Sequence, residues 1–387
     1  MSNQDAPLVI IGTGLAAYNL AREWRKRDSS TPLIMLTQDS GRSYSKPMLS
    51  TAFSKDKTAE GLTMADAGKM AEQLSATIHT FVSVDAIDTH KRVLSFDGTQ
   101  LNYRDLVIAA GSETINLPIE NTAQSKTFAV NDLEQFAEFQ EAAKTAQRIL
   151  IIGGGLIGCE YANDLLTTGA KISLVELQPT LLSNLCHEAI GNALVSQFTE
   201  EGIDLHLSTA VTAIREDKDG VVATLNNGTE LAADIVLSAV GVRARTQLAR
   251  QSGLACERGI QVDRELRSSV KHVYALGDCA EVDGHLLYYV MPLMQCVRAL
   301  AQTLSGTPTA VSYPAMPVTI KTSRFPIVTN PPDTTPETPV HWQVEHVEGG
   351  VKALAYNVSG ALIGFSLGGS SISEKASLAK SLPKVMA

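Results

Sequence analysis

The chain has 387 residues, 44 % of them hydrophobic and 19 % charged, with no low-complexity tract, which is the profile of a folded protein of two or three domains and excludes a disordered one. A formal net charge of −9 works against general affinity for nucleic acid or an anionic membrane surface, and no local basic run offsets it. Five cysteines (Cys159, Cys186, Cys256, Cys279 and Cys296) form no C-x-x-C pair and the eight histidines are scattered, so no metal site is expected and the thiols read as small apolar core residues in a reducing compartment.

In chain order, Met1–Asp5 carries no basic residue and the apolar stretch after it stops at Gly12. That is too short for a signal sequence or a spanning helix, so a cytoplasmic protein without membrane insertion is expected. Leu8–Ile11 is an unbroken apolar run, predicted as a central parallel strand. Gly12, Thr13, Gly14, Leu15, Ala16 and Ala17 follow, and a helical pattern continues through Leu20, Ala21 and Trp24. G-x-G-x-x-A between strand and helix suits a dinucleotide diphosphate: the first glycine allows the tight turn, the second a close backbone approach, and the small third residue close helix packing. A tight structural turn is the competing reading. Leu33–Leu36 is the next strand, and the acidic residue expected to hold a ribose falls on Thr37, with Asp39 two residues later. Either Thr37 or Asp39 must serve.

Leu106–Gly111 reads "LVIAAG", an apolar strand ending on small residues. The glycine pattern then returns, complete: strand Arg148–Ile152, Gly153, Gly155 and Gly158, a helix through Ala162 and Leu166, and a strand Ile172–Val175 ending on Glu176. A carboxylate there accepts hydrogen bonds from both ribose hydroxyls and repels a 2′-phosphate, which favours NADH over NADPH. Two such units in one chain suggest a redox donor and acceptor. "SAVG" (Ser238–Gly241) and "VYALGDCAEV" (Val273–Val282) follow, each an apolar strand with a small end. Asp278 is suited to a sugar-like hydroxyl chain or, equally, to capping a helix.

This order of motifs, over Pro7 to about Lys321, resembles the two-dinucleotide-binding flavoprotein oxidoreductases. The resemblance implies an α/β fold: two Rossmann-like three-layer domains, one for FAD (1–112 and 242–312) and one for NAD (113–241), plus a small α+β C-terminal domain (313–387). A helical run Leu293–Leu304 is expected ahead of the last, and in it strands Trp342–Val347, Lys352–Asn357 and Leu362–Leu367, a Pro-rich loop Pro326–Pro339 and a helix from Ser373. It places Gly12, Thr13, Gly14, Leu15, Ala17, Thr37, Arg42, Lys46, Pro47, Val84, Ala110, Gly111, Asp278, Val290 and Lys321 on FAD. Gly153, Gly155, Gly158, Glu160, Glu176 and Gly241 fall on NADH.

The segment Gly41–Ser50, "GRSYSKPMLS", has no cysteine where the disulfide-reducing branches of that family carry one or two. Tyr44, Lys46, Pro47, Leu49 and Ser50 instead resemble the Y-x-K/R-P-x-L-S pattern of reductases serving rubredoxin, ferredoxin and related iron proteins. "YVMPLM" (Tyr289–Met294) and "PVTIKT" (Pro317–Thr322) look closest to the rubredoxin-serving branch. The resemblance therefore implies electron flow from NADH through FAD to rubredoxin, for example feeding an alkane hydroxylase, with Lys46, Glu160 and Lys321 in catalytic roles. For Lys46 the plain alternative is a solvated lysine; for Glu160, an exposed helix carboxylate. Arg42, Lys46, Lys55, Lys57, Lys321 and Arg324 form a candidate basic rim for an acidic carrier. A ferredoxin reductase, an NADH oxidase and a flavin-bound signalling protein of the apoptosis-inducing-factor type are the alternative readings.

Overall fold

A computed structural model describes residues 6–334 and 338–387; Met1–Asp5 and residues 335–337 of the Pro-rich loop lie outside the described residues. The chain divides into two compact units, one of Met1–Lys46, Gly61–Glu113 and Val242–Tyr313, the other of Pro47–Glu60, Thr114–Gly241 and Pro314–Ala387.

The first unit is centred on a five-stranded parallel sheet in the order Val273–Ala275, Asp105–Ile108, Leu8–Ile11, Leu33–Leu36, Ala76–His79. Leu8, Val9 and Ile10 are fully buried, which is why this strand reads as a continuous apolar run rather than an alternating one. The helix Leu15–Arg25 buries Ala16, Ala17, Tyr18, Leu20, Ala21 and Trp24, an i, i+3/i+4 stripe. Leu8–Ile11 is flanked by Leu33–Leu36 and Asp105–Ile108, so the strand order reverses at its carboxyl end, where Gly12 begins; such switch points are where open α/β sheets hold ligands. A three-stranded antiparallel sheet, Val84–Asp88, Val93–Phe96 and Thr99–Asn102, belongs to the same unit.

The second unit repeats the plan with a parallel sheet in the order Thr127–Phe128, Ile235–Ser238, Arg148–Ile152, Lys171–Val175, Asp204–His206. It adds an antiparallel meander, Val211–Asp217, Gly220–Leu225 and Glu230–Ala233, whose inward residues Ile214, Val221 and Ala223 join Leu150 and Val236 in one core. Its C-terminal part is a five-stranded sheet in the order Val318–Ile320, Ile327–Asn330, Leu362–Gly369, Gly350–Tyr356, His341–Val347.

Three expectations need correction. Ile327–Asn330 is a buried central strand and not part of a Pro-rich loop: Pro326 stands just before its first residue, where no ladder donor is lost, and burial of Ile327, Val328 and Thr329 overrides the local proline signal. The helix expected from Ser373 begins as a 3-10 turn, Ser370–Glu374, and becomes α-helical at Lys375–Ser381. The helical run expected at Leu293–Leu304 starts at Val290, with Pro292 accommodated in its first turn.

Candidate cofactor-binding and active site

In the first unit, Gly12 has φ +114° and a Cβ there would lie 2.3 Å from the Ala109 carbonyl oxygen, so only glycine fits the turn. Gly14 differs: a Cβ would meet no atom within 4 Å. It caps the helix Leu15–Arg25 without any side-chain hydrogen bond, leaving the first-turn N–H groups for an anion. Gly111, at φ +70°, also opens on empty space, with Ala110 half-buried before it. Thr13 and Thr37 are buried, and both hydroxyls donate to Asp39 Oδ1, at 3.2 and 2.8 Å; the Gly41 amide donates to the same oxygen at 2.8 Å. Asp39 thus ties the loop together, and Thr37 reaches it through that bond. Arg42 bonds Ser40, Val84 is half-buried, and Val290 is exposed at the start of a helix that carries no side-chain cap.

Lys46 and Asp278, 232 residues apart in sequence, meet: Lys46 Nζ lies 3.8 Å from Asp278 Oδ2 and donates to Ser112 Oγ at 3.4 Å, while the Ser112 hydroxyl donates to Asp278 at 3.0 Å. Asp278 sits inside a one-turn 3-10 segment, Gly277–Cys279, so the helix-capping alternative falls. Ser112 was not singled out from sequence; its only signal is its place directly after "LVIAAG".

In the second unit the glycine loop is tighter. Gly153 has φ +106° and a Cβ would lie 2.7 Å from Ala239 O; one on Gly158 would lie 1.8 Å from Gly153 O. Gly155 is open, and it too caps its helix, Leu156–Leu165, without a side-chain bond. Glu176 accepts from the Gly154 amide at 2.5 Å through one oxygen and from the Gln178 amide at 2.8 Å through the other. Gly241 adopts φ +114° beyond the strand Ile235–Ser238.

Glu160 is fully buried, which overturns the exposed-carboxylate alternative. One oxygen accepts from the Ser50 hydroxyl and pairs with Lys321 Nζ at 2.8 Å; the other accepts the Lys321 amide at 3.0 Å. Lys321 Nζ also donates to Pro47 O and to Ser50 Oγ. One turn along the helix, Asp164 is buried and accepts the amides of Phe53 and Ser54 at 2.8 and 3.0 Å. Burial pushes its carboxyl pKa up, opposed by the Ser54 hydroxyl, by those amide bonds and by the Lys55 charge. Asp164 did not stand out in the sequence, and Ser50 did so only as the last residue of the Y-x-K/R-P-x-L-S pattern. Of the candidate basic rim, Lys46, Lys321 and Arg324 already carry carboxylate partners, Arg324 through Glu201 at 2.7 Å, so the field they project is weaker than their count implies.

All five thiols have pKa values pushed up by burial, Cys186 to about 12 and Cys279 and Cys296 to about 11. The raised values disfavour the thiolate that nucleophilic chemistry needs.

Two open second glycines on uncapped helices, each at the end of a parallel strand, describe paired dinucleotide loops. Residues 6–303 match the pyridine nucleotide-disulphide oxidoreductase family. The chain belongs to that family. Residues 310–382 of this oxidoreductase also match the rubredoxin binding C-terminal domain. It is 47 % identical to the rubredoxin-NAD(+) reductase of Alcanivorax borkumensis, over 98 % of this chain and 99 % of that one. With the rubredoxin-NAD(+) reductase of Acinetobacter baylyi the identity is 40 %, covering 98 % of each. In fold it is similar to a ferredoxin reductase from Rhodopseudomonas palustris, with TM-score 0.85, 23 % identity, and coverage of 94 % of this chain and 91 % of the other. The cofactors of this oxidoreductase are FAD and NADH, and the loops fit them: a Cβ at Gly14 or Gly155 would meet no atom within 4 Å, which is space suited to the backbone approach of a diphosphate. Among the described residues no helix is long and apolar enough to cross a membrane.

Proposed function

We propose that this oxidoreductase carries electrons from NADH through FAD to a small iron carrier of the rubredoxin type. The match of residues 310–382 to the rubredoxin binding C-terminal domain carries the reading. It is supported by a Gly41–Ser50 segment without cysteine and by five thiols whose pKa values burial raises. Bound FAD supplies the exchange between a two-electron donor and a one-electron carrier.

The first glycine loop, with Thr37, Arg42, Val84, Ala110, Gly111 and Val290, holds FAD; Asp278, kept in place by Ser112, serves its hydroxyl chain. Lys46 contributes a fixed cation there. The second loop, with Glu176 and Gly241, holds NADH: each Glu176 oxygen spends one lone pair on a backbone amide and keeps another for a ribose hydroxyl. Glu160 fixes Lys321 and Ser50 in one buried cluster. Residues 1–112 with 242–312 form the FAD domain, 113–241 the NAD domain and 313–387 the carrier-facing domain. The free cysteines support a cytoplasmic site of action. The sequence resemblance supports an alkane hydroxylase as the carrier's consumer, and deletion of the gene should then impair growth on n-alkanes.

The deciding experiment mixes the FAD-loaded protein with NADH and then with rubredoxin, ferredoxin or air alone. Rapid turnover with rubredoxin only is the expected result. Equal turnover with ferredoxin or oxygen, or a long-lived reduced complex that passes electrons to none of them, would overturn the proposal.

A further inference from the structure

The two glycine loops of this chain correspond residue for residue. In the first unit the Gly12 amide donates to Leu36 O at 2.7 Å and the Thr37 amide to His79 O at 2.9 Å. In the second the Gly153 amide donates to Val175 O at 2.8 Å and the Glu176 amide to His206 O at 2.9 Å. Thr37 therefore occupies the place in its unit that Glu176 occupies in the other, and Thr13, between Gly12 and Gly14, takes the place of Gly154.

The side chains at these two places are exchanged in size. A Cβ on Gly154 would lie 3.1 Å from both Cβ and Cγ of Glu176 and 2.6 Å from Leu181 Cδ2, so the long acid excludes a side chain from the loop. In the first unit the acid gives way to the shorter Thr37, and the loop carries Thr13, buried at 3 % exposure. The carboxylate that Thr37 lacks comes from Asp39. Its Oδ1 accepts the Thr13 and Thr37 hydroxyls and the Gly41 amide, while among the described residues Oδ2 accepts no hydrogen bond. Glu176 is likewise anchored to the middle residue of its own loop, through the Gly154 amide.

A turn-forming aspartate accounts for the Gly41 bond alone, two residues on. It leaves unexplained the bond from Thr13, 26 residues away in sequence. Thr37 is buried and spends its one hydroxyl proton on Asp39, so it offers a ligand no charge and no free donor. With Oδ1 held by three donors, the orientation of the carboxylate is fixed and Oδ2 keeps its lone pairs for a hydroxyl.

We infer that Asp39 receives the adenosine ribose of FAD through Oδ2, and that Thr13 and Thr37 are positioning residues that act through it. The acid of a dinucleotide fold, displaced from the strand end in this chain, is restored two residues later by a reciprocal change in the glycine loop. This rests on the reading above in which the first loop holds FAD.

The test removes flavin from the full-length protein and titrates the apoprotein, by flavin fluorescence, with FAD and with an FAD whose adenosine lacks both ribose hydroxyls. The parent should bind FAD about tenfold or more tightly over the dideoxy analogue, the worth of one charge-assisted bond. Asp39→Ala should lower FAD affinity about tenfold and leave the analogue within threefold of its parent value, so that the preference disappears. Thr13→Val, of nearly the same shape, should lower the preference about threefold and cause no further loss when combined with Asp39→Ala. A parent without preference, a preference that survives Asp39→Ala, an Asp39→Ala that weakens both flavins alike as a purely structural clamp would, or losses that multiply in the double variant would each overturn the inference while FAD binding stands. If the parent takes up neither flavin, the reading of the first loop falls and the inference with it. Should Asp39→Ala not accumulate folded, Asp39→Asn, which keeps an acceptor for the Gly41 amide, is judged by the same loss of preference.

Discussion

The two open glycines offer a substitution that separates cofactor binding from folding. A methyl at Gly14 or Gly155 meets no protein atom within 4 Å, and both positions have ordinary negative φ, −68° and −76°. Gly14→Ala and Gly155→Ala should therefore cost the empty protein only the loss of a good N-cap, up to about 1 kcal/mol. The same methyl occupies the approach of a diphosphate and displaces one charge-assisted bond worth about 1.5–3 kcal/mol. A loss of about 10- to 100-fold in affinity follows. Gly14→Ala should lower the flavin-to-protein absorbance ratio and leave NADH affinity of the remaining holoprotein intact; Gly155→Ala should keep its flavin and raise the half-saturating NADH concentration. Gly153→Ala is the contrasting case, because its methyl would meet a carbonyl oxygen at 2.7 Å and sit at φ +106°, and it should destabilise the fold outright. If Gly155→Ala loses flavin and keeps NADH, the two loops are assigned the wrong way round. If both open-site variants bind normally, neither loop approaches a diphosphate.

Three further outcomes are expected. Glu160→Gln leaves Lys321 without its buried counter-charge; Lys321 keeps 32 % of its side-chain surface exposed, so the loss is discounted to about 2 kcal/mol and should appear as a melting shift of a few degrees. Glu176→Ala removes the carboxylate that repels a 2′-phosphate and should raise kcat/KM for NADPH relative to NADH, and an unchanged ratio would take Glu176 out of cofactor choice. His187 caps the helix Glu188–Glu200 by accepting the Ala189 amide on Nδ1 at 3.2 Å, and its ring lies 4.8 Å from that of Trp342. Burial lowers its pKa below the ordinary 6.5, against the opposing charge of Glu188. The folded chain then binds fewer protons than the unfolded one, so this contribution is fully present above pH 6.5 and is lost as pH falls through the folded value. Melting temperature should drop on acidification below that point, and less so in His187→Asn, which still caps but does not titrate.

The legible parts of this molecule are those encoded locally. Leu8–Ile11 and Arg148–Ile152 are strands because they are apolar without interruption, and the glycines after them are needed where φ is positive or a carbonyl stands within 3 Å. The illegible parts are pairings across long stretches of chain. Ser112 to Asp278, Ser50 to Glu160 and Phe53 to Asp164 span 166, 110 and 111 residues, and nothing in the local pattern of either partner announces the other. Glu160 and Asp164 in particular sit on a helix that buries polar and apolar residues alike from Gly158 to Leu165, so periodicity alone left Glu160 open between a surface carboxylate and a site residue. Ile327–Asn330 was hidden by the opposite effect, a strong local proline signal that tertiary burial overrides.

The direction in which electrons leave follows from what has replaced a thiol. A family named for disulphide chemistry needs a cysteine that is a thiolate at working pH, and that requires a cation or helix terminus acting on a partly exposed sulfur. Here the helix-starting segment after Gly41 offers hydroxyls and a lysine, and its lysine is already engaged with Asp278 and Ser112. The five sulfurs lie elsewhere, in surroundings that raise their pKa by desolvation: Cys159 points at the Gly154 carbonyl and Cys279 at those of Ile108 and Leu276. Cys256 is only part-buried and feels the Arg250 charge, yet burial still raises its pKa, and part-buried Cys186 is pushed up to about 12, so no sulfur here has the lowered pKa that thiolate chemistry needs. The acceptor must therefore come from outside the chain.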